Sequence, residues 1–356
     1  MFVHTRSKEY LAQGHSVTVL VPSLNEFSYE IDGVQVLHGN VRSFYSHIDS
    51  ADRVMIHLLF HRLRKEIDAG YIYNYLLKNK VPTVFFIHGV EAQTIWGSRR
   101  DDIKWFKPSS IARWLYRDLY LINRMKDTIS AFNDESAPCQ FVAPSQWMFQ
   151  ESARYTNIKI TSKAQVIPNG INTQHFQFRE QWHNRDKLLS IRPLIYKGKY
   201  AVDLLIDSYQ KLKVPASLSL YGSGPDEDLI RSQVSGLNQF SLHNVFLEQS
   251  GIPKVHAEHG MYLAVTRMDA QGVSMCEAMA SGLPTISYNT CAIPEFIEHK
   301  KTGLLANSYD TQSYTDSIEE LLENRDLFES LAINARQAME KIDIVETTKK
   351  ELELVL

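Results

Sequence analysis

Two carboxylates flank a glycine within residues 266–289, whose sequence is TRMDAQGVSMCEAMASGLPTISYN. Asp269 lies in a predicted loop after a strand, and Glu277 follows eight residues later, in the first turn of a helix predicted to begin near Ser274. A helix N-terminus offers unpaired N–H groups to an anion, and Gly272 lets a ligand approach the backbone closely. The pattern predicts a diphosphate at the start of this helix, with both carboxylates accepting hydrogen bonds from sugar hydroxyls.

The same residues also have a purely structural interpretation. Ser274 and Glu277 match the S-x-x-E capping box, in which the glutamate side chain only binds backbone N–H groups at the start of its helix. From these residues alone both interpretations stay open.

Two cations follow the predicted strand LLSIR, which begins at Leu188. Arg192 ends this strand, and Lys197 comes five residues later beside Gly198. Charge-assisted hydrogen bonds from two such cations would hold a diphosphate. A solvated loop with ordinary surface charges is the alternative, and Lys199 is a second candidate for the lysine.

Two histidines and one glycine-rich turn also lie at predicted strand ends. His88 directly follows the strand TVFFI, where a polar loop residue indicates function, and His57 is the second-ranked candidate. A hydrogen-bonded structural histidine is the alternative for both. Gly222 belongs to YGSGPDED, a G-x-G turn that suits either a donor site or a tight strand-to-helix connection.

Residues 104–126 interleave aromatic and cationic side chains. Arg113 and Arg117 share one face of the predicted helix, whereas Leu115, Leu119 and Ile122 share another. The pattern favours a helix packed on its own domain, and the alternative is a helix lying on an anionic membrane.

Short apolar runs alternate with longer amphipathic stretches in two series, which predicts an α/β fold whose parallel strands are covered on both faces. The first series contains SVTVLV from Ser16, RVMIHLLF from Arg53, TVFFIHG from Thr83 and QFVAPS from Gln140. The second contains LLSIR from Leu188, SLSLYGSG from Ser217, NVFLEQ from Asn244, MYLAVT from Met261 and PTISYN from Pro284.

The breaker-rich segment VIPNGINTQHF separates the two series and predicts a domain boundary. We expect an N-terminal domain over residues 1–170, a C-terminal domain over 171–342, and a charged helix over 343–356 that packs back on the N-terminal domain. Parallel sheets bind ligands beyond the carboxyl ends of their strands, which predicts a site in the cleft between the domains. The chain opens on the helical stretch FVHTRSKEYLAQGH, so the opening strand and glycine-rich turn of a Rossmann-like sheet are predicted to be missing.

Composition narrows the class of protein. A length of 356 residues suits two domains, and the formal net charge of -3 offers no positive field to gather nucleic acid. Three cysteines without the spacing of a metal or redox site fit a reducing cytoplasm. No apolar run approaches the roughly 18 residues of a membrane span, so any membrane contact is expected to be peripheral.

On these residues the chain resembles the retaining glycosyltransferases of GT-B fold, specifically the large nucleotide-sugar-dependent family, family four, with a Glu-x7-Glu signature. The resemblance spans nearly the whole chain and rests on VIPNGINTQHF, on the R-x4-K-G spacing from Arg192, on LYGSGP and on DAQGVSMCEAMASGLPTIS. It implies two Rossmann-like domains facing a central cleft. This chain departs from the pattern in its Asp-x7-Glu form, in Ile191 where glycine is common, and in the missing first strand.

The resemblance implies a role for each candidate residue. Arg192 and Lys197, with Lys199 as the rival lysine, would hold the donor diphosphate, and Glu277 would bind the nucleotide ribose. Asp269 would contact the donor sugar, and His88 would lie near the reacting sugar in the acceptor domain. The residues implied in catalysis are His88, Arg192, Lys197 and Asp269, and those implied in donor binding are Lys199, Gly222, Gly272, Val273, Ser274 and Glu277.

The implied activity is transfer of a sugar from a nucleotide-diphosphate donor to a glycan or lipid-linked acceptor, with retention of configuration and without metal or cofactor. The expected setting is surface polysaccharide biosynthesis, in the cytoplasm or peripherally at the inner face of the membrane. The departures keep a second interpretation open, a degenerate and non-catalytic GT-B protein that binds a nucleotide sugar or a partner enzyme. A sugar-nucleotide epimerase is a third, by analogy of fold alone.

Overall fold

The computed structural model describes residues 2–100 and 103–355. They divide into two units: unit 1 contains the described residues up to Asn169 together with those from Ile344 onward, and unit 2 contains Gly170–Asp343.

Unit 1 begins with a helix and then alternates strands with helices. Its elements are α1 (Phe2–Ala12), β1 (Thr18–Pro22), β2 (Phe27–Ile31), β3 (Val34–Gly39), α2 (Tyr45–Asp49), β4 (Val54–Ile56), α3 (Gly70–Asn79), β5 (Thr83–Phe86), α4 (Ile95–Ser98), α5 (Pro108–Leu115), a π-helical segment (Tyr116–Leu121), α6 (Ile122–Asn133), β6 (Cys139–Ala143), α7 (Gln146–Thr156) and β7 (Ala164–Val166).

Unit 2 repeats the alternation, and one further helix follows it. Its elements are β8 (Lys187–Ile191), α8 (Val202–Gln210), β9 (Ser217–Gly222), α9 (Glu227–Gln233), β10 (Phe240–Asn244), α10 (Ile252–Ala257), β11 (Met261–Ala264), α11 (Val273–Ala280), β12 (Thr285–Tyr288), β13 (Leu304–Ala306), α12 (Thr311–Glu323) and α13 (Arg325–Glu340). The last helix, α14 (Ile344–Leu352), belongs to unit 1.

The sheets are mainly parallel, which confirms the predicted α/β class. Unit 2 has one six-stranded parallel sheet in the order β10-β9-β8-β11-β12-β13. Unit 1 has a four-stranded parallel sheet in the order β4-β5-β6-β7 and a separate three-stranded sheet in the order β1-β3-β2, in which β2 runs antiparallel to β3. All four residues of β5, of β11 and of β12 are buried, because helices cover these central strands on both faces.

The sequence misplaced one strand and missed four others. The run NVFLEQ from Asn244 was expected to be a strand, but β10 occupies Phe240–Asn244 and ends where that run begins. Val245 and Phe246 are exposed, so their apolar character does not mark a buried strand. The hairpin β2–β3 turns at Asp32 and Gly33, both with positive φ, and an Asp-Gly pair between apolar runs is the strongest local signal for such a turn. The short strands β7 and β13 carry too few residues for a periodic signal.

Helix α14 packs against α1 within unit 1 through buried charged groups. Arg6 Nε donates to Glu351 Oε1 at 2.9 Å, and the Tyr10 hydroxyl donates to the same carboxylate. Arg6 Nη2 also donates to Asn169 Oδ1 at 3.1 Å. The first and last described helices of the chain are therefore joined by one polar cluster.

Candidate functional site

The loop between β11 and α11 is folded by Asp269. Its Oδ1 accepts hydrogen bonds from the backbone N–H groups of Gly272, at 2.8 Å, and Gln271, at 3.2 Å. Gly272 is the N-cap of α11 with φ of 76°, a left-handed conformation that glycine adopts without strain. The remaining carboxylate oxygen, Oδ2, lies 3.8 Å from Arg192 Nη1. The fold thus brings Arg192 and Asp269 together at the start of a helix, where an anion is favoured.

Arg192 is held almost entirely inside unit 2, with 6% of its surface exposed. Its backbone N–H donates to Tyr221 O at 2.9 Å, and among the described residues no group accepts a hydrogen bond from its buried Nε. A guanidinium that is desolvated in this way is stabilised by an anion that accepts the remaining hydrogen bonds.

Lys197 and Lys199 lie on the loop that follows β8. Lys197 is exposed, whereas the Lys199 ammonium lies 4.7 Å from the centroid of the Tyr200 ring. Gly198 has φ of 84°, which explains the glycine between the two lysines. Either ammonium remains a candidate for the diphosphate.

Arg267 holds in place the loop that carries Lys197 and Lys199. The sequence patterns did not identify Arg267 as a candidate residue. Its guanidinium makes a bidentate ion pair with Asp203, both N···O distances being 2.8 Å, and its Nη1 donates to Gly198 O at 3.3 Å. Its backbone N–H donates to Lys199 O at 2.8 Å. Its position two residues before Asp269 could have indicated a role for Arg267 near the site.

Glu277 does not cap its own helix, so the capping-box interpretation is wrong. It lies in the second turn of α11 rather than the first, and the N-cap Gly272 offers no side chain. The Glu277 Oε1 instead accepts a hydrogen bond from Gln249 Nε2 at 2.8 Å. Burial raises the pKa of Glu277 to about 7. A buried carboxylate with one oxygen held in place can accept hydrogen bonds from a ligand's hydroxyl groups.

Gly222 ends β9 at a close approach between two backbone segments. A Cβ at this position would lie 1.8 Å from the carbonyl oxygen of Arg192. The tight turn between strand and helix therefore accounts for this glycine, and its role in donor binding stays a prediction. Ser274 and Val273 are half-buried in the first turn of α11.

In unit 1 the carboxyl ends of β4 and β5 bring His57 and His88 together. Their rings share a hydrogen bond of 3.0 Å between His57 Nδ1 and His88 Nε2, and the His57 ring stacks on Phe86. Burial, with the positive charge of Arg6 nearby, lowers the pKa of His88 to about 4 and that of His57 well below its usual range. Both imidazoles are neutral at neutral pH, so one ring donates to the other. The structure pairs the two histidines that the sequence ranked separately.

The loop after His88 is stabilised by a buried acid. Glu91 is 1% exposed, and its Oε2 accepts from the backbone N–H of His88 at 3.1 Å. In the described structure its Oε1 has no hydrogen-bond partner. Burial raises the pKa of Glu91 to about 7.

Helices α4 and α5 and the residues described between them expose aromatic rings together with cations. Trp96, Trp105 and Trp114 pack with ring centroids 5.5–6.2 Å apart, and Phe106 beside them is 79% exposed. We call these four residues the aromatic patch. The Arg100 guanidinium lies 4.5 Å from the Trp96 ring centroid.

The expected helix packing of residues 104–126 is wrong in one respect. Leu115 and Leu119 are exposed, whereas Arg117 is turned inward and donates to the carbonyl oxygens of Val90 and Gln93. Arg117 and Leu119 lie in the π-helical segment Tyr116–Leu121, whose wider turn shifts side chains from their ideal α-helical positions.

The described residues contain neither a metal-binding cluster nor a membrane-spanning helix. No cluster of three or more His, Cys, Asp or Glu side chains could hold a metal ion there. Within the same ranges no helix combines the length and the apolar character needed to cross a membrane.

Comparison with known families gives two adjoining matches. The family described as "Glycosyltransferase Family 4" matches residues 1–175, and the family described as "Glycosyl transferases group 1" matches residues 173–338.

Individual relatives are distant. The chain is 28% identical over 137 residues to N-acetyl-alpha-D-glucosaminyl L-malate synthase of Bacillus anthracis, covering 38% of this chain and 36% of that protein. It is 25% identical over 183 residues to a GDP-mannose-dependent alpha-(1-6)-phosphatidylinositol monomannoside mannosyltransferase of Mycobacterium tuberculosis, covering 46% and 47%. These matches span less than half the length of either relative.

Among solved structures, HepE of Anabaena in complex with UDP and glucose superposes with a TM-score of 0.72 at 15% identity, covering 99% of this chain and 94% of that one. At this identity the likeness is one of fold.

Proposed function

Because the chain belongs to the glycosyltransferases of GT-B fold, we propose that it transfers a sugar from a nucleotide-diphosphate donor to a glycan or lipid-linked acceptor in surface polysaccharide biosynthesis. The observation that carries the proposal is the grouping of a buried Arg192, Asp269 and the N-terminus of α11. This grouping suits the diphosphate of a nucleotide sugar, which links a sugar to a nucleoside.

The proposed reaction retains the anomeric configuration and uses no metal. The bond between the anomeric carbon and the leaving phosphate oxygen breaks while the acceptor oxygen bonds to the same face of the sugar, and the acceptor proton passes to the leaving diphosphate. Arg192, Lys197 or Lys199, and the backbone N–H groups of Val273 and Ser274 at the start of α11 would stabilise the charge that develops on that diphosphate. No nucleophile of the protein is needed.

Calorimetric titration with UDP, GDP and dTDP, together with a nucleotide-release assay on the matching sugars, tests the proposal. Tight binding of one nucleotide with sugar-dependent release is the expected result. Folded protein that binds none of the three would contradict the donor site in unit 2.

The non-catalytic alternative is favoured by one specific observation. Asp269 is shorter than the glutamate expected at its position, and its Oδ1 is already engaged by two backbone N–H groups. Nucleotide binding without release, with every nucleotide sugar and acceptor tried, would support a binding protein over a transferase.

We also propose that the protein acts on the cytoplasmic side of a membrane and touches it through the aromatic patch. Exposed tryptophan and phenylalanine rings insert at a lipid interface, and Arg100, Lys104 and Lys107 around them would contact anionic headgroups. Sedimentation with phosphatidylcholine vesicles, with and without phosphatidylglycerol, tests this contact. We expect binding only to the anionic vesicles and its loss in a Trp105→Ser, Phe106→Ser variant; equal sedimentation of parent and variant would contradict it.

A further inference from the structure

The strand β2 lies at the outer edge of the three-stranded sheet of unit 1. It pairs with β3 on one side, and no described strand pairs with it on the other. All five of its residues, Phe27–Ile31, are exposed. An edge strand of this kind presents unpaired backbone N–H and C=O groups, which are a template for pairing with another chain.

One face of β2 is apolar and continues a face that is buried on β3. Tyr29 and Ile31 lie opposite buried valines of β3, yet each is itself 45% exposed. Phe27 is 50% exposed on the same face, and its ring stacks on that of His38 with the centroids 4.1 Å apart. The cover over this face therefore stops at β3 and leaves an apolar stripe of Phe27, Tyr29 and Ile31 along β2.

The two-residue turn that joins β2 to β3 fixes which backbone groups of β2 are free. The residues that flank this turn, Ile31 and Val34, exchange both backbone hydrogen bonds across the hairpin. The pattern alternates along the strand, so Tyr29 also bonds to β3. The N–H and C=O groups of Ser28 and Glu30 therefore point away from β3 and are available to a further strand.

Charges distinguish the registers in which a second copy of β2 could pair antiparallel with this edge. Because only the outward-pointing groups can bond, the registers with the greatest overlap are centred on Ser28, Tyr29 or Glu30. Centring on Ser28 places Glu26 opposite Glu30 of the second copy, and centring on Glu30 places the two Glu30 residues opposite each other. Like charges directly opposite on paired strands are destabilising. Centring on Tyr29 instead places Ser28 opposite Glu30.

The register centred on Tyr29 also places Glu26 opposite Asp32, but the charge of Asp32 is already compensated within its own copy. The Lys8 Nζ donates to Asp32 Oδ2 at 3.0 Å, and the His4 Nε2 lies 3.0 Å from the same oxygen. This register is therefore the one that the charges of the strand favour.

We propose that two copies of the chain associate through antiparallel pairing of their β2 strands about a twofold axis at Tyr29. Each Ser28 exchanges two backbone hydrogen bonds with Glu30 of the other copy, which joins two three-stranded sheets into one continuous sheet. The two apolar stripes meet on one face, where the Tyr29 side chains are neighbours and Phe27 lies opposite Ile31 of the other copy. This association does not depend on the proposed transferase activity.

Sedimentation velocity of the parent protein across the micromolar range tests the association. The parent should dimerise reversibly. Ile31→Lys places a cation in the apolar stripe and should sediment as a monomer. Ile333→Lys is the matched control, since Ile333 of α13 is 49% exposed, and it should dimerise as the parent does.

Ser28→Pro separates backbone pairing from apolar contact. Proline removes an N–H that points away from β3, so the hydrogen bonds of the hairpin itself remain, and proline is tolerated at such edge positions. We expect a folded monomer. Ser28→Ala keeps the N–H and should remain dimeric, and circular dichroism should show the same fold in both variants.

Introduced cysteines measure the register. Residues that face each other without exchanging hydrogen bonds have Cα atoms about 4.5 Å apart, a separation that a disulfide can span. Tyr29→Cys should therefore form a disulfide between copies on mild oxidation. Phe27→Cys should not, because the two copies of residue 27 would lie roughly 13 Å apart along the strands. Non-reducing electrophoresis, with oxidised parent as the reference for the native cysteines, compares the two.

Three results would overturn the inference. A parent that stays monomeric over this concentration range would exclude a second copy as the partner of β2. Dimers that persist in both Ile31→Lys and Ser28→Pro would place the contact elsewhere on the molecule. Equal cross-linking of Phe27→Cys and Tyr29→Cys would contradict the register centred on Tyr29.

Discussion

Glu91 shows how one buried side chain makes stability depend on pH. Its carboxyl group lies beside the His88 backbone, with one oxygen unpartnered among the described residues, and its pKa is raised to about 7. The pKa of Glu91 is near 4.5 in the unfolded chain and about 7 in the folded protein. At pH values between these two, the native state holds a proton that the unfolded state has released. Stability contributed by this group therefore falls as pH rises through that window.

We expect Glu91→Gln to stabilise the protein at high pH and to have little effect at low pH. The amide keeps an acceptor for the His88 N–H and never ionises, so the gain should grow from near zero at pH 4.5 to at most about 3 kcal/mol at pH 8. Chemical denaturation of parent and variant across this range measures it. A constant difference at all pH values would show that Glu91 is ionised in the folded protein.

Arg192→Ala should weaken the binding of nucleoside diphosphates and leave the binding of nucleosides nearly unchanged. Loss of charge-assisted hydrogen bonds of about 1.5–3 kcal/mol corresponds to roughly 10- to 100-fold weaker binding of UDP or GDP. Uridine and guanosine affinities, measured in the same titrations, should change little. Arg231→Ala, which removes an exposed arginine of unit 2, is the control. Parallel losses for nucleoside and diphosphate would contradict the diphosphate role.

At the scale of single residues, the sequence identified candidate residues by their position after predicted strands. It did not predict the hydrogen-bond partners that other loops supply. Arg192, Asp269 and Gly272 were identified because each follows a strand, and the structure places them together. Gln249 and Arg267 were missed because their roles depend on hydrogen bonds to Glu277 and Asp203, which are distant in the sequence. The local spacing of residues does not encode such contacts. For the same reason the hydrogen bond from Gln249 to Glu277 was not predicted, and of the two interpretations left open for Glu277 the structure contradicts the capping box.

The pairing of α1 with α14 is the clearest case of an element held by charge. Arg6 and Glu351 are both buried, and Tyr10 and Asn169 complete their hydrogen bonds. Truncation of one partner would leave the other charge buried and uncompensated.

Arg6→Ala should lower the free energy of unfolding by about 3–5 kcal/mol. Lys8→Ala removes a cation of the same helix whose ion pair with Asp32 is about half exposed, and should cost much less than Arg6→Ala. Chemical denaturation followed by fluorescence compares the two. Similar small losses in both variants would show that the Arg6 pair contributes nothing beyond a surface pair.

Gly222→Ala should disturb the junction of β8 and β9. The added methyl group would collide with the Arg192 carbonyl, forcing a backbone shift that costs about 1–3 kcal/mol. Gly251→Ala is the control, since a Cβ there meets no atom within 4 Å. Thermal denaturation should rank Gly222→Ala well below Gly251→Ala, and equal melting temperatures would argue against close packing at this turn.

Strands that carry unbroken apolar runs were predicted, whereas β2, β7 and β13, which are exposed or only three residues long, were missed. The runs that became β5, β11 and β12 are unbroken and apolar because both faces are covered. β2 escaped notice because all of its residues are exposed, so burial does not shape its sequence. β10 was misplaced because an exposed apolar pair follows it.

On the scale of the whole molecule, unit 1 is built from two separated stretches of chain. The chain leaves it after Asn169 and returns at Ile344, and the half-buried Leu354 of the returning segment packs against β5 and β6 residues such as Phe86 and Val142. Arg53 adds hydrogen bonds to the carbonyl oxygens of Glu351 and Leu352. Completion of unit 1 therefore requires the last residues to be in place.

Removal of the chain from Ile344 onward should destabilise unit 1 selectively. Phe86 would lose the apolar cover of Leu354, the Tyr10 hydroxyl would lose its acceptor, and Arg6 would lose its buried partner. Hydrogen exchange read by mass spectrometry should show faster exchange in α1 and β5, with α8 and β9 of unit 2 unaffected. Uniformly faster exchange in both units would show that the loss is not confined to unit 1.

Unit 2, by contrast, is one continuous stretch whose two ends meet. Ile171 bridges to Asp343, its N–H donates to Ile342 O at 3.0 Å, and the Thr173 hydroxyl donates to Asp343 at 2.5 Å. Such a segment can be exchanged as one block. Two cuts in the chain, at points that are close in space, would replace residues 170–343 and leave the chain path of unit 1 unchanged. Recombination at those two points would give the molecule a new second half while unit 1 is inherited intact.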